Sequence, residues 1–200
     1  MQKLDKNKIL GQGWQYTVYD LGNGRVYKRF NSVWQMFPVI WKERKQVFWR
    51  IPWYVKEMKN NAIKSFDYLD NINIDKKLLG DFERRQGLDY EQDKALSIKE
   101  YLKDVSEDET RRVVDKFIGL VKIFWEIGFI DKAMKVGKNF GVNKNGEVVL
   151  IDLGEIWYKD ESIKQRLKKR IWAGRDNMDG LPEKVRPYYI KKMDEIFLNR

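Results

Sequence analysis

The chain of 200 residues contains neither cysteine nor histidine, and these two absences exclude much of catalytic chemistry. Without cysteine there are no disulfides, thiolate nucleophiles or zinc–thiolate sites, as is typical of a cytoplasmic protein. Without histidine there is no Ser-His-Asp or Cys-His catalysis, no histidine metal site and no imidazole acid–base group. Any catalysis must therefore use carboxylates, lysine, tyrosine, hydroxyls, backbone amides or a hard metal ion bound by oxygen.

Long apolar runs are missing as well. No stretch approaches eighteen apolar residues, so we expect no transmembrane helix, and the start MQKLDKNKIL lacks the apolar segment of a signal peptide. We therefore expect a cytoplasmic protein. Hydrophobic residues still make up 42% of the chain and aromatic residues 14%, which is enough for the core of one domain or of two small lobes.

The net charge of +10 favours anionic partners, such as nucleotides, nucleic acid or an acidic membrane surface. Many lysine-rich proteins are basic without binding any polyanion, so the charge by itself leaves both interpretations open.

The first part of the chain combines strands with one main helix. Alternating apolar residues predict strands at Lys8–Gln12, Gln15–Leu21 and Arg25–Phe30, and the turn at Gly22–Gly24 joins the last two. Helical spacing predicts a helix over Pro52–Leu69. Two short extended runs within residues 78–90, around Gln86-Gly87, indicate a further hairpin.

The second part is mainly helical. A short helix begins at Ser97, and Ser106 with Glu109 forms a capping box for a longer helix that ends at Gly128. A single hairpin follows, with strands at 140–142 and 148–152 around Asn145-Gly146, and the basic tail beyond Asp160 is predicted to be helical. The boundary between the two parts falls near residues 93–97.

One segment near the hairpin carries metal-binding chemistry. In NFGVNKNGEVVLIDLGE a buried strand ends at Asp152, Gly154 follows, and Asn139 begins the partner strand. Carboxylate and carboxamide oxygens suit Mg²⁺, which keeps its remaining positions for water and phosphate oxygens. Alternatively, Asp152 only caps a turn.

The glycine-rich start and this segment together resemble the protein-kinase-like superfamily, in its small atypical bacterial form. Gly11-Gln-Gly13-Trp-Gln-Tyr16-Thr-Val18 is similar to the glycine-rich loop G-x-G-x-x-G-x-V, with Tyr16 in place of the third glycine. RVYKRF resembles the strand that carries the phosphate-binding lysine, and IDLGE resembles the Asp-Phe-Gly metal motif. These motifs occur in the family's order between Ile9 and Glu155, about three quarters of the chain.

The resemblance implies an α+β, two-lobed protein-kinase-like fold. Residues 1–94 would form an antiparallel N-lobe with one main helix, and residues 95–200 an abbreviated, mainly helical C-lobe. ATP and Mg²⁺ would be the cofactors, with a small molecule or a protein as phosphoryl acceptor.

The resemblance also implies roles for individual residues. Gly11 and Gly13 would cover the phosphates, Val18 would belong to the cofactor-binding residues, Lys28 would bind the α- and β-phosphates, and Asn139 and Asp152 would bind the metal. Backbone groups of residues 90–94, including Tyr90 and Gln92, would contact the base. Glu57 is the first choice for the glutamate that pairs with Lys28, and Glu43 is the competing candidate.

Two departures from the family pattern bear on catalysis. The family's catalytic aspartate stands five residues before the asparagine, where this chain has Met134, and the nearest acid is Asp131. An activation segment is also absent after Glu155. Three functions follow: a phosphotransferase in which Asp131 orients the acceptor, a pseudokinase-like module without turnover, or a basic protein that binds nucleic acid or membrane.

The third function depends on residues 32–56, where four tryptophans and two phenylalanines alternate with lysine and arginine. Interleaved aromatic and basic residues can stack on single-stranded bases or lie at a membrane interface. Tryptophans at this density more often pack an inserted segment onto its own lobe, and we expect that arrangement here.

Overall fold

The structure is a computed structural model that describes residues 8–43, 48–158 and 161–198. The chain forms an α+β protein that divides into two compact units. The first unit comprises Met1–Asn73 and Asp81–Lys94, and the second comprises Ile74–Gly80 and Ala95–Arg200.

An antiparallel five-stranded sheet forms the first unit, in the order β1-β2-β3-β5-β4. Its strands are β1 (Ile9–Gln12), β2 (Tyr16–Asp20), β3 (Arg25–Phe30), β4 (Glu83–Arg84) and β5 (Tyr90–Asp93). The first three confirm the predicted strands to within one residue at each end. Gly22 and Gly24 both adopt positive φ angles, near 80°, which explains why the turn between β2 and β3 uses glycine.

Two helices accompany this sheet, α1 (Val33–Glu43) and α2 (Ile51–Asn71). The prediction of α2 is confirmed, with Pro52 in its first turn, and its buried residues recur at helical spacing. The ring of Tyr90 lies 5.2 Å from Tyr16 and 5.4 Å from both Phe66 and Phe82, measured between centroids. This aromatic cluster fixes α2 against the face of the sheet that carries Tyr90.

The hairpin predicted around Gln86-Gly87 is confirmed, since β4 pairs with β5 in antiparallel orientation. Lys76–Leu79 forms a 3-10 helix that ends at Gly80, which has a φ of 63°, and this segment belongs to the second unit. Extended structure is confined to β4 and β5, and Gly87 at a φ of 67° lies in the turn between them. The left-handed Gly80 ends the preceding helical turn, so the first of the two predicted extended runs begins after it, at Glu83.

Helices and two small sheets form the second unit. The α-helices are α3 (Ile98–Tyr101), α4 (Glu107–Ile127), α5 (Val136–Asn139), α6 (Glu161–Lys168) and α7 (Arg186–Phe197). Short 3-10 helices lie at Leu102–Asp104, Ile171–Ala173 and Glu183–Val185. One sheet has the order β6-β8-β9 and contains β6 (Ala95–Ser97), β8 (Phe140–Asn143) and β9 (Val148–Leu150). The other pairs β7 (Phe129–Asp131) with β10 (Ile156–Tyr158).

Helix α4 is the central element of the second unit, and its predicted ends are confirmed. The Ser106 hydroxyl accepts the Glu109 N–H at 3.2 Å, and Gly128 ends the helix at a φ of 117°. The buried stripe of α4 includes Phe117 and Phe124, whose rings contact Phe140 and Phe129 at 4.7 Å. Within the described residues, none of the helices is long and apolar enough to span a bilayer.

Candidate functional site

Four of the predicted site residues lie in one row across the sheet of the first unit. Gly11 pairs with Val18, Val18 with Lys28, and Lys28 with Tyr90. Directly opposed residues in antiparallel strands project to the same face. The side chains of Val18 and Lys28 therefore share the face that carries the Tyr90 ring.

Lys28 is largely buried, with an exposed fraction of 9%. Its Nζ lies 5.4 Å from the centroid of the Tyr90 ring, a cation–π geometry. Glu57, the glutamate predicted to pair with Lys28, is exposed on α2, and the buried residues of that helix include no carboxylate. Glu43 ends α1, but its side chain lies outside the described side chains. The structure therefore describes the side chain of Glu57 only, and that side chain is exposed to solvent.

The glycine-rich segment forms a tight turn between β1 and β2. The Gly13 N–H donates to the Tyr16 carbonyl at 2.8 Å. Asn31, which follows β3 and is only 2% exposed, fixes this turn. Its Nδ2 donates to the carbonyls of Gly13 at 2.9 Å and Trp14 at 3.1 Å. Its Oδ1 accepts the Thr17 hydroxyl at 2.6 Å.

Sequence reasoning did not identify Asn31. An asparagine followed by Ser32 is typical of a helix start, and Ser32 does begin α1, with its Oγ 3.4 Å from the Gln35 N–H. The contact with the turn becomes visible only when β3 pairs with β2, since that pairing brings Asn31 beside Gln15.

The protein's own packing does not require glycine at either loop position. A Cβ at Gly11 would meet nothing within 4 Å, and one at Gly13 would meet only the Tyr16 carbonyl, at 3.7 Å. Neither residue has a positive φ angle. Internal sterics therefore leave room for side chains at both positions.

Tyr90 and Gln92, predicted to contact a nucleotide base, are fully buried on β5. Tyr90 lies between Lys28 of β3 and Arg84 of β4, so neighbouring strands flank its backbone on both sides. Neither side chain presents a surface to a ligand, and only backbone groups towards the end of β5 remain for that role.

In the second unit the structure brings Asp131 and Asn139 into contact, although eight residues separate them. The Asn139 Nδ2 donates to Asp131 Oδ1 at 2.9 Å and to Oδ2 at 3.1 Å. Asp131 ends β7 and Asn139 ends the short helix α5. The longer loop between them therefore still brings an aspartate to the predicted metal-binding asparagine.

Asp152 lies next to Asn139 through the backbone. The Asn139 carbonyl accepts the N–H groups of Ile151 at 2.8 Å and Asp152 at 3.2 Å. Ile151 and Asp152 directly follow β9, so their hydrogen bonds to Asn139 lie where that strand ends. Asp152 Oδ1 also accepts the Gly154 N–H at 3.2 Å. The predicted motif thus adopts a compact turn in which Asn139 and Asp152 are both partly exposed.

Burial dominates the electrostatics of Asp131, which is 3% exposed. Desolvation raises the pKa of its carboxyl from 3.8 to about 7, and the negative charge of Asp152 adds to the rise. Hydrogen bonds from Asn139 and from the N–H groups of Met134 and Lys135 act in the opposite direction. The carboxyl therefore titrates near neutral pH.

The surroundings of Asp131 are those of a core residue. A cavity of about 10 Å³ lies beside it, lined by Met134, Phe140 and other apolar side chains. This volume is about that of one water molecule and cannot admit an acceptor substrate. Met134, five residues before Asn139, is buried too and has a φ of 47°. Neither residue is accessible to an acceptor in this conformation.

Lys138 in the same loop already has an acidic partner. Its Nζ lies 3.3 Å from Asp179 Oδ2, and Lys99 contacts the same carboxylate at 2.9 Å. Both lysines lower the pKa of Asp179 through hydrogen bonds. Asp179 thus connects the loop that carries Asn139 to α3.

The metal ligands available here suit a Mg²⁺ ion that also binds phosphate oxygens. They are too few for an ion coordinated by protein groups alone. Asn139 and Asp152 offer one carboxamide and one carboxylate, both hard oxygen ligands. Across the described residues there is no cluster of three or more Asp, Glu, His or Cys side chains arranged to bind a metal.

Comparisons with known proteins give little further information. No protein-family model matches the chain, and no curated protein matches it. Among solved structures, the complex of Rv3197 with erythromycin from Mycobacterium tuberculosis is similar over 95% of this chain, with 12% identity and a TM-score of 0.43. The chain spans 54% of that structure's length. A similarity at this level supports no conclusion about function.

Proposed function

We propose that this chain is a kinase-like protein that binds ATP together with Mg²⁺. One observation carries the proposal: Asn139 contacts Asp131 through its side chain and the backbone of Asp152 through its carbonyl. The buried Asp131 thereby holds the Asn139 side chain, and the Asn139 carbonyl holds the backbone of Asp152. The two residues that offer oxygen ligands to a hard cation therefore lie at one turn.

The hydrogen bonds of these residues define which atoms remain for the metal. Asn139 uses its Nδ2 on Asp131, which leaves Oδ1 for a cation. Asp152 uses Oδ1 on the Gly154 N–H and retains Oδ2. Bound Mg²⁺ would neutralise phosphate charge and take its remaining ligands from water and phosphate oxygens. Asp131 then acts as a positioning residue, since it fixes the orientation of the Asn139 amide.

The first unit, considered by itself, carries groups that suit the binding of phosphates. Lys28 projects from β3 to the face of the sheet that carries the Tyr90 ring. Glycine at positions 11 and 13, which internal packing does not require, suits the close approach of a ligand to the backbone. The hydrogen bonds of Asn31 to the turn would preorganise this segment.

Phosphoryl transfer to an acceptor is the second candidate, and the contact between Asp131 and Asn139 favours it. Transfer depends mainly on positioning and charge stabilisation, with a carboxylate that orients the acceptor hydroxyl. The burial of Asp131 means that an acceptor can reach this carboxylate only if the loop from residue 131 to 139 opens. Binding without turnover requires no such opening, so we place binding first.

Calorimetric titration with ATP in the presence of Mg²⁺ or EDTA tests the primary proposal. We expect wild-type protein to bind ATP in a Mg²⁺-dependent manner, and Lys28→Met and Asp152→Asn to weaken binding at least tenfold. Asp104→Asn changes an exposed aspartate outside the site and should bind like wild type. The proposal is wrong if wild-type protein binds no ATP, or if Asp152→Asn retains full Mg²⁺-dependent affinity.

Formation of ADP at saturating ATP and Mg²⁺ separates the two candidates. Turnover that is lost in Asp131→Asn, with ATP affinity retained, would establish phosphotransfer or hydrolysis that depends on this carboxylate. Turnover that is unchanged in Asp131→Asn would exclude its role in orienting an acceptor. Binding with no turnover would leave the nucleotide-binding module as the function.

A further inference from the structure

The tryptophans of residues 32–56 lie on the surface, contrary to the expectation that they pack onto their own lobe. Trp34 is 83% exposed, Trp41 44%, Trp49 74% and Trp53 58%. Among the described residues, half of the exposed large hydrophobic side chains fall between Val33 and Trp53. Such a concentration of exposed apolar surface marks an interaction site.

The fold does not need these rings for its own core. Met36 and Ile40 of α1 pack with Ile51, Val55 and Met58 of α2, and Trp14, Phe30 and Phe37 pack against this cluster. The segment therefore packs through its aliphatic residues and Phe37, while the four tryptophans face outward.

The exposed rings are ordered along the helices. Trp34, Pro38 and Trp41 follow one another at i, i+4 and i+7 on α1, and all three are exposed, so they form a single stripe. Trp41 lies near the end of α1, and Trp53 lies near the start of α2. Trp49 and Arg50 immediately precede α2 and are exposed as well. We call Trp34, Pro38, Trp41, Trp49 and Trp53 the tryptophan face.

Exposed cations lie close to these tryptophans in the sequence. Lys42, Arg50 and Lys56 are exposed. Over residues 32–56 the sequence contains five Lys and Arg residues and a single acid, Glu43. The stripe on α1 has no cation between its apolar residues and Lys42 directly after it, so on this helix charge flanks the rings, whereas Arg50 lies between Trp49 and Trp53.

We propose that the tryptophan face binds the surface of an anionic lipid membrane. Tryptophan rings prefer the headgroup region of a bilayer, and flanking lysine and arginine bind anionic headgroups. Nucleic-acid binding instead relies on cations that follow the phosphate backbone, with bases stacked between them. An apolar stripe with cations only at its margins fits the membrane interface better.

Co-sedimentation with vesicles tests the proposal on the full chain. We expect binding to vesicles of phosphatidylcholine with 25% phosphatidylglycerol, and much weaker binding to phosphatidylcholine alone. The double variant W34A/W41A should lose at least tenfold in affinity. Its matched control is L96A/I123A, which removes two exposed apolar side chains of the second unit and should bind like wild type. Unfolding midpoints should match among all three proteins, since the substituted side chains are exposed.

Charge variants and competing ligands complete the test. Arg50→Gln should weaken binding to the anionic vesicles about fivefold, and the difference should shrink in high salt. Equal binding of W34A/W41A and wild type would overturn the proposal. It would also be overturned if wild type bound a single-stranded 20-mer oligonucleotide but no vesicles, or formed a dimer that W34A/W41A abolished while vesicle binding was absent. None of these readouts depends on ATP, so the proposed nucleotide site can fail independently.

Discussion

Asn139 donates its side-chain Nδ2 to both carboxylate oxygens of Asp131, at 2.9 Å and 3.1 Å. This contact joins the end of β7 to the end of α5 within the second unit. The two residues lie eight positions apart in the sequence, and the aspartate is in the core. In this position Asp131 orients Asn139, and it does not face an acceptor.

The stability of the protein should depend on the titration of Asp131. Its pKa is raised to about 7 in the folded protein, so the unfolded chain releases this proton near pH 3.8 while the folded protein retains it. Stability therefore falls as the pH rises through this window. Between pH 5 and pH 8 the contribution amounts to at most about 3 kcal/mol.

Urea unfolding in EDTA, measured from pH 5 to pH 8, checks this dependence. We expect wild type to lose stability relative to Asp131→Asn as the pH rises, because the variant has no ionisable group at this position. A stability difference between the two proteins that stays constant over this range would contradict the prediction.

Asn31→Ala should destabilise the protein by about 2–4 kcal/mol. The substitution leaves the buried Thr17 hydroxyl and the partly buried Gly13 and Trp14 carbonyls without their partner. Chemical denaturation measures the loss. Asn60→Ala, at an exposed position of α2, is the control and should not lower stability. If both variants unfold at the wild-type midpoint, Asn31 does not hold the turn.

Two glycine substitutions should have opposite effects. A Cβ at Gly137 would lie 2.0 Å from the Asp179 carbonyl oxygen and 3.2 Å from Lys99 Cβ, so Gly137→Ala should cost about 1–3 kcal/mol or more. Gly119 is exposed within α4 and a Cβ there meets nothing within 4 Å, so Gly119→Ala should stabilise by about 0.5–1 kcal/mol. Thermal melts of the two variants should shift in opposite directions. A midpoint of Gly137→Ala at or above that of wild type would show that the close approach of Gly137 to Asp179 is wrong, and a lowered midpoint of Gly119→Ala would contradict the prediction for α4.

Tyr189→Phe should leave stability unchanged or raise it by about 1 kcal/mol. The Tyr189 hydroxyl is buried and has no hydrogen-bond partner among the described residues, while its ring contacts Phe117 at 5.9 Å. Removing a buried hydroxyl without a partner removes a desolvation cost. The neighbouring Tyr188→Phe breaks an exposed hydrogen bond to Asp115 and should lower stability by up to about 1 kcal/mol. Equilibrium unfolding of both variants provides the comparison, and a clear loss in Tyr189→Phe would reveal a partner for this hydroxyl.

Part of the candidate site could be predicted from residue order. The strand that carries Lys28 and the strand that precedes Asp152 are short apolar runs bounded by turn residues, and such local patterns are readable in a single sequence. The burial and the contacts of each side chain could not be predicted from such local patterns. Its position early in a helix predicts Glu57 as the partner of Lys28. In the structure Glu57 is exposed to solvent, because the buried stripe of α2 passes through Val55 and Met58.

By itself the sequence determined the local elements and the available chemistry. Helical periodicity, the Ser106 cap and the turn glycines fixed where elements begin and end, since these signals act over a few residues. Because histidine and cysteine are absent, any reaction is limited to carboxylates, lysine, tyrosine, hydroxyls, backbone amides or a metal ion bound by oxygen. Only the tertiary structure decided that Asp131 is buried, that Asn31 holds the glycine turn and that the tryptophan face is exposed. Burial depends on which distant element covers a face, and that information is not contained in any local pattern.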